Sequence, residues 1–266
     1  MAGEAPPPGG WRMEDVARRA GVSQMTVSRA LRTPEKVASA TRARIAAAVA
    51  ELDYVPDLVA GGLAARRSGL VAVIVSTLEN SIFAATVQGL SAALHGQGYA
   101  VLLGASDYSR EGEEELLRAV LGRRPDGIVL TDHVHSPAAR RLLTAAGVPV
   151  VETWELPAAP IDVAVGFSNH AAGRAMVLAL HGYGYRRIAF VGSAAEDDRR
   201  GRLRREGYSA ALAELGAGPP REVGLPAAVI GITDGPAALG ALLAAYPDAD
   251  AAFCVVDALA AALLLA

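Results

Sequence analysis

Residues 15–31, DVARRAGVSQMTVSRAL, decide how the N-terminal part of this chain folds. Val16, Ala17 and Ala20 are spaced to form one apolar helical face. Gly21 interrupts that pattern at a point where a tight turn favours positive φ. Ser23 is placed to cap a second helix by accepting from one of its first free N–H groups. In that helix Val27 and Leu31 lie four residues apart and are expected to face inward. Ala17 is small where two helices must cross. Two short helices joined by a glycine turn make a helix-turn-helix unit.

Working outward, residues 1–12 read as a disordered tail, because Pro6-Pro7-Pro8-Gly9-Gly10 cannot pack a core. Ile45, Val49 and Leu52 mark a third helix, which Tyr54-Val55-Pro56 ends. The helix-turn-helix domain is therefore set at 13–55. A hinge follows at 56–67, weakly helical and interrupted by Gly61-Gly62. From Leu70 the pattern changes. Apolar runs at 70–75, 99–103, 127–130, 148–151, 163–167, 188–191 and 251–256 alternate with helical stretches. Runs without polar alternation predict strands buried on both faces of a parallel sheet, wound through right-handed crossovers. A break near Phe167-Ser168-Asn169 divides this region into lobes at 68–168 and 169–266. The chain ends at Leu263-Leu264-Leu265-Ala266, inside an apparent helix, so the second lobe is expected to be incomplete.

Composition narrows the function classes. The chain has 266 residues, 52% of them hydrophobic and 20% charged, with a net charge of −3. Residues 1–67 carry ten Arg/Lys against seven Asp/Glu, and the remainder carries 15 against 21. A basic head on an acidic body suits a nucleic-acid-binding module joined to a sensor. No apolar run reaches the ~18 residues of a membrane span. The Pro/Gly-rich N-terminus has no secretory-signal pattern. Cys254 is the single cysteine, which fits a cytoplasmic protein and leaves no cysteine zinc site. The sequence lacks a dinucleotide fingerprint, a P-loop and a nucleophile elbow, so an enzyme is not expected. His133 and His135 beside Asp132 are crowded onto one loop and read as a polar rim rather than a metal centre. No cofactor is expected.

The segment 15–31 resembles the lactose-repressor/galactose-repressor family. The match extends through Val37-Ala38, Arg42, Ile45, Leu52, Tyr54 and Pro56 and then across the α/β region. Within that family the chain looks most like the gluconate-utilisation repressors. The stretches that carry this are Met25-Thr26-Val27-Ser28-Arg29, Asn80 with Phe83, Leu130-Thr131, and the run from Ile161 to Asn169. The resemblance implies a helix-turn-helix domain followed by a two-lobed α/β sensor like the periplasmic binding proteins. It implies a homodimer on near-palindromic double-stranded operator DNA, answering a small sugar or sugar acid such as gluconate. Ser23, Gln24, Met25, Thr26, Ser28 and Arg29 are the expected DNA-contacting residues. Gln24 suits adenine, Arg29 suits guanine, and Met25 suits a thymine methyl. Leu63 is the expected hinge residue that wedges between base pairs.

For the sensor, the resemblance and the rule that ligands bind at the carboxyl ends of parallel strands give Ile82, Phe83, Thr131, Asp132, Glu152, Trp154, Asn169, Arg200 and Arg204 as effector-binding candidates. Arg200 and Arg204 precede Gly207 by seven and three residues. Their guanidinium forks match a carboxylate or phosphate. The chain departs from the family's pattern at Asp57, Ser168 and Val256, where Asn, Asp and Asn are common. The alternative to an effector-responsive repressor is a DNA-binding remnant that does not sense ligand.

Overall fold

The computed structural model describes residues 10–56, 67–78, 80–226 and 230–266. The chain divides into two compact units, Met1–Arg66 and Arg67–Ala266. The expected hinge residues Asp57, Gly61, Gly62 and Leu63, and the tail before Gly10, lie outside the described residues.

In the first unit α1 (Met13–Ala20) starts where the Asp15 carboxylate accepts from the Arg12 N–H at 2.9 Å. It ends at Gly21, whose φ of +63° puts the backbone in the left-handed region. Helix α2 (Gln24–Arg32) begins with the Ser23 hydroxyl accepting from the Thr26 N–H at 3.2 Å. Such a cap contributes about 1 kcal/mol relative to alanine. A 3₁₀ turn at Pro34–Lys36 leads into α3 (Ser39–Glu51). Val16, Ala17, Ala20, Val27, Ile45, Ala48 and Tyr54 make the core. An ion pair between Arg19 and Glu51 ties α1 to α3. Leu31 corrects the expectation. It is 38% exposed, because the buried face runs through Val27 and Ala30 and leaves Leu31 on its rim.

The second unit contains two parallel sheets. The first has strand order β2-β1-β3-β4-β5 and the second β7-β6-β8. Their ranges are β1 Leu70–Val75, β2 Ala100–Ala105, β3 Gly127–Leu130, β4 Val150–Thr153 and β5 Val163–Val165. The second sheet is β6 Ile188–Ser193, β7 Glu222–Leu225 and β8 Ala251–Cys254. The described helices are α4 (Ser81–His95), α5 (Arg110–Leu121), α6 (Pro137–Ala145), α7 (Asn169–Gly182), α8 (Arg199–Leu215), α9 (Gly235–Ala245) and α10 (Asp257–Leu265). The helical N-terminal domain and the parallel α/β arrangement follow the sequence reading.

Strand period sets the layers. Ala72 and Ile74 of β1 face Leu117, Val120 and Leu143 from α5 and α6. Val71, Val73 and Val75 face Phe83 from α4 on the other side. The first sheet is thus covered on both faces at its centre. The edge strands are not, which corrects the expectation that every run is doubly buried. Val163 and Val165 of β5 are 47% and 60% exposed, since an edge strand has a neighbour on one side only. Strand β7 was not expected, because Glu222-Val223-Gly224-Leu225 alternates polar and apolar over only four residues.

Helices α7 and α8 pack most closely of all, and two glycines explain it. A Cβ on Gly173 would lie 2.1 Å from the Arg204 carbonyl oxygen, and one on Gly207 would lie 2.0 Å from that of His170. This contact sets α8 at the carboxyl ends of the strands, where Ser76, Thr131, Trp154 and Val255 follow β1, β3, β4 and β8.

Candidate nucleic-acid interface and interlobe cleft

On α2, Val27 is fully buried and turns the rest of the helix outward. Ser23, Gln24, Met25 and Arg29 are exposed, Met25 by 71%. Thr26 and Ser28 are half-buried, and the Thr26 hydroxyl is 2.9 Å from that of Ser23. Among the described residues no side-chain hydrogen bond or ion pair engages Gln24, Arg29 or Arg32. Arg18 and Arg19 differ, being paired with Asp15 and Glu51. Helix α2 therefore presents cations and an amide without side-chain partners among the described residues, and its N-terminus also presents unpaired N–H groups and positive dipole. The arrangement can meet a groove edge and the phosphates beside it. Arg32 was not singled out from the sequence, although it lies three residues after Arg29 on the same exposed side.

The cleft of the second unit is built around α8. Asp198 caps the helix by accepting from the Gly201 N–H at 2.9 Å. The first turns then send three guanidinium groups to different partners. Arg199 donates to an Asp132 carboxylate oxygen at 2.8 Å and to the Val134 carbonyl at 3.1 Å. Arg200 donates to the Thr131 carbonyl, and to the Ser76 hydroxyl at 3.0 Å. Its guanidinium carbon is 4.9 Å from the centre of the Phe83 ring and 5.9 Å from that of Tyr108. Arg204 donates to Asn169 Oδ1 at 2.8 Å and to the Val255 carbonyl at 2.6 Å.

The opposite wall is equally connected. Thr131 Oγ1 accepts from the Ser76 N–H at 2.8 Å. Buried Asn169 donates to the Trp154 carbonyl at 2.8 Å and to Glu155 Oε2 at 2.7 Å. Trp154 holds a φ of +74°, a strained conformation for a bulky residue. Its ring packs edge-on against Phe83 and Phe167, at centroid distances of 6.2 and 6.0 Å.

Ile82, Phe83, Tyr108, Asp198, Arg200, Arg204 and Val256 are among the residues that enclose a free volume of about 30 Å3. That is room for roughly one water, not a sugar. Arg200 lies over the Phe83 ring and Arg204 crosses to Val255, so the cleft is closed on its own arginines.

Electrostatics mark the same place. Arg200 and Arg204 donate directly to neutral oxygens. Burial, and then the neighbouring Arg200 charge, push the Arg204 pKa down. Burial pushes the Asp198 carboxyl up, against the pull of the Gly201 N–H and the nearby arginines. For Glu155 burial acts upward, but hydrogen bonds from Asn169 and the Leu156 N–H outweigh it and leave the carboxyl below its ordinary value.

Comparison with known proteins agrees with both parts. Residues 12–57 match the family model for bacterial regulatory proteins of the lacI family, and residues 68–266 match that for periplasmic binding proteins and the sugar binding domain of the LacI family. This chain belongs to the LacI family. The HTH-type transcriptional regulator GntR of Escherichia coli (strain K12) is 38% identical over 207 residues, 78% of this chain and 62% of that relative. The chain thus spans less than two thirds of that regulator's length. A crystal structure of a LacI-family transcriptional regulator from Silicibacter pomeroyi superposes with a TM-score of 0.87 at 39% identity, over 96% of this chain and 76% of that one. The lac repressor dimer bound to operator and the anti-inducer ONPF gives a TM-score of 0.79 at 25% identity, over 96% and 77%.

In this LacI-family chain the fold brings together Ile82, Phe83, Thr131, Asp132, Trp154, Asn169, Arg200 and Arg204. It does not bring Glu152 to them. Glu152 is completely buried, accepting from the Ile161 N–H at 2.6 Å and lying 3.2 Å from His135 Nε2. The strand-end rule failed for it because its side chain takes the sheet face away from the cleft, one residue out of phase with Val151 and Thr153. Asp132 is present, but its carboxylate is engaged by Arg199 and by the His133 and Val134 N–H groups. Ser76, Tyr108, Glu155 and Asp198 were missed. Ser76 directly follows β1, so the same rule could have found it. Tyr108 and Asp198 reach the cleft from irregular segments that carry no period.

Proposed function

We propose that this protein is a sequence-specific DNA-binding transcriptional regulator, a repressor, that answers a small anionic sugar derivative such as gluconate. The observation that carries the effector part is a neighbouring pair of guanidinium groups, Arg200 buried and Arg204 half-buried, whose direct acceptors are a hydroxyl, an amide oxygen and backbone carbonyl oxygens. Two like charges held close without a directly bonded carboxylate favour an anion. An Arg fork meets a carboxylate through paired hydrogen bonds. Phe83 and Trp154 supply an apolar wall for a ring or carbon chain, while Thr131 and Asn169 supply hydroxyl and amide groups. Ligand entry would displace Arg200 from Phe83, so binding and lobe geometry are coupled by differential affinity.

For DNA, Gln24, Met25 and Arg29 read base edges, while Ser23, Thr26 and Ser28 meet phosphate. Leu63 serves as the minor-groove wedge. The lac repressor relative is a dimer bound to operator. A homodimer of this chain on a near-palindromic site follows from the same logic, because two identical heads require two related half-sites. The protein works in the cytoplasm, where its DNA lies. It is not an enzyme: the cleft groups bind and orient an anion without an activated nucleophile beside them.

A salt-controlled titration on palindromic operators selected from a random library tests this. Specific binding that weakens or strengthens with gluconate is the expected result. Binding indifferent to gluconate and to other sugar acids would leave the remnant reading, and absence of specific binding would remove the regulator reading altogether.

A further inference from the structure

Behind the cleft, outside the group just described, lies a second buried polar cluster. His135 sits on the segment between β3 and α6 with its side chain fully buried. Its Nδ1 is 2.8 Å from Oε1 of Glu113 on α5, and its Nε2 is 3.2 Å from Oε1 of Glu152 on β4. The Glu113 side chain is 8% exposed and that of Glu152 not at all.

A neutral imidazole has one N–H and one bare nitrogen, and an ionised carboxylate only accepts. Both ring nitrogens here face carboxylate oxygens. With a neutral ring, one contact would set a lone pair against a buried anion. With both nitrogens protonated, each contact is a charge-assisted hydrogen bond. A lone charge at this depth would be expelled, whereas one flanked by two opposite charges is retained.

The segment that carries His135 also makes the cleft wall. Thr131 receives Arg200 and Asp132 receives Arg199, whose guanidinium also reaches the Val134 carbonyl. Next to His135, the Ser136 hydroxyl donates to Glu114 and caps α6. His135 is therefore the central fastening of residues 131–136 to the interior of the lobe.

We propose that His135 is a buried imidazolium that acts as a positioning residue, clamping the 131–136 wall of the cleft between Glu113 and Glu152 and making the closure of that wall depend on one proton. The clamp bears on regulation only through the reading that the cleft holds the effector. Its own existence does not depend on that reading.

The charged groups facing the ring are Glu113 from α5, Glu152 from β4 and, more remotely, Asp132 from its own segment. Burial acts to lower the His135 pKa, but the hydrogen bond and charge of Glu113, with Glu152 and Asp132, outweigh it and raise the value above 6.5. A group whose folded value is raised stabilises fully below its unfolded value, and that stabilisation is lost as pH rises through the folded value. The wall should accordingly be held at and below pH 6.5 and loosen above it. His133, two residues away, is the contrast. Burial lowers its pKa, and its Nδ1 has no hydrogen-bond partner among the described residues.

Ring-15N spectra of the full chain test the clamp directly. The chain has five histidines, and His135→Gln assigns the signal by its disappearance, with Glu113→Gln as a second variant that should shift it. The expected result at pH 6.5 is a His135 ring with both nitrogens protonated and a His133 ring that is mostly neutral. Between the unfolded value and the raised folded value, amide exchange of residues 131–136, corrected for intrinsic base catalysis, should rise by up to about tenfold per pH unit, as loss of one bound proton requires, and level off above the folded value. A His135 ring already neutral at pH 6.5 overturns the proposal, and so does protection of 131–136 that stays flat as pH rises from there. Both readouts use the unmodified chain without gluconate, so they stand apart from failure of the effector reading.

Discussion

The recognition helix and the cleft are organised in opposite ways. On α2 Gln24, Met25 and Arg29 are exposed to solvent, and among the described residues Gln24 and Arg29 have no side-chain partner. In the cleft the assigned polar side chains are buried or half-buried and bonded to another part of the molecule: Arg200 to Ser76 and Thr131, Arg204 to Asn169 and Val255, Asn169 to Glu155. The first site is held ready by its backbone. The second is a network that a ligand must rearrange. Substitutions on α2 should therefore change recognition and leave stability alone. Substitutions in the cleft should change both, in proportions set by what each residue touches.

The largest effect expected comes from a residue that touches no ligand. Gly207→Ala places a Cβ 2.0 Å from the His170 carbonyl oxygen and 2.8 Å from the Arg174 nitrogen, both backbone atoms. Helices α7 and α8 must separate, at a cost of about 3 kcal/mol or more. Since α8 carries all three cleft arginines, gluconate affinity should fall with thermal stability, measured together by calorimetry. NMR signals of the helix-turn-helix residues should not move. Loss of those signals as well would break the comparison, because it would make the head depend on α8 packing.

Next comes Arg200→Gln. It removes one of the two close cations while keeping a donor near Ser76. Loss of a charge-assisted contact to an anion should cost about 2 kcal/mol, or roughly thirtyfold in gluconate affinity by isothermal titration. Stability should change little, because relief of repulsion at Arg204 offsets the lost hydrogen bonds to neutral oxygens. A variant that melts far lower but binds gluconate normally would show that Arg200 is a strut of the cleft and not its anion receptor.

The difference between the regions also explains what could be read in advance. Helix-turn-helix geometry is local: Val16, Ala17, Ala20, Gly21, Ser23 and Val27 lie within twelve residues, and each has a role set by period or turn chemistry. Strands β1 and β3 were legible to the residue because unbroken aliphatic runs leave no alternative. Strand β5 was legible as a run but not as an edge that exposes its valines, and β7, which alternates, was not legible at all. In the cleft the strand-end rule located Thr131, Asp132 and Trp154 but could not assign faces. It therefore placed Glu152 on the ligand side, where the fold turns it to His135. Glu113 was invisible for a similar reason. On α5 it reads as one more acidic residue in the run Glu111 to Glu115, and only packing against α6 and β4 makes it a buried partner.

The smallest effect tests the head alone. Arg29→Ala removes an exposed side chain that makes no ion pair among the described residues, so unfolding free energy should stay within about 0.5 kcal/mol. Gluconate affinity should not change. Operator affinity should fall on the order of 1 kcal/mol, and the manner of the loss identifies the contact. If Arg29 reads a guanine edge, the loss appears on the selected operator, shrinks when that base pair is replaced, and leaves non-specific binding nearly intact. If Arg29 meets phosphate, binding weakens evenly across sequences and the slope of log affinity against log salt falls by about one. The second outcome would pass the base-reading role to Gln24 and Met25, nearer the Ser23 cap, and would place Arg29 with Arg32 on the backbone. Either result keeps the head independent of the cleft. A change in gluconate affinity on substituting a side chain so fully in solvent would mean that the two regions share a network, and that their contrast in bonding does not extend to function.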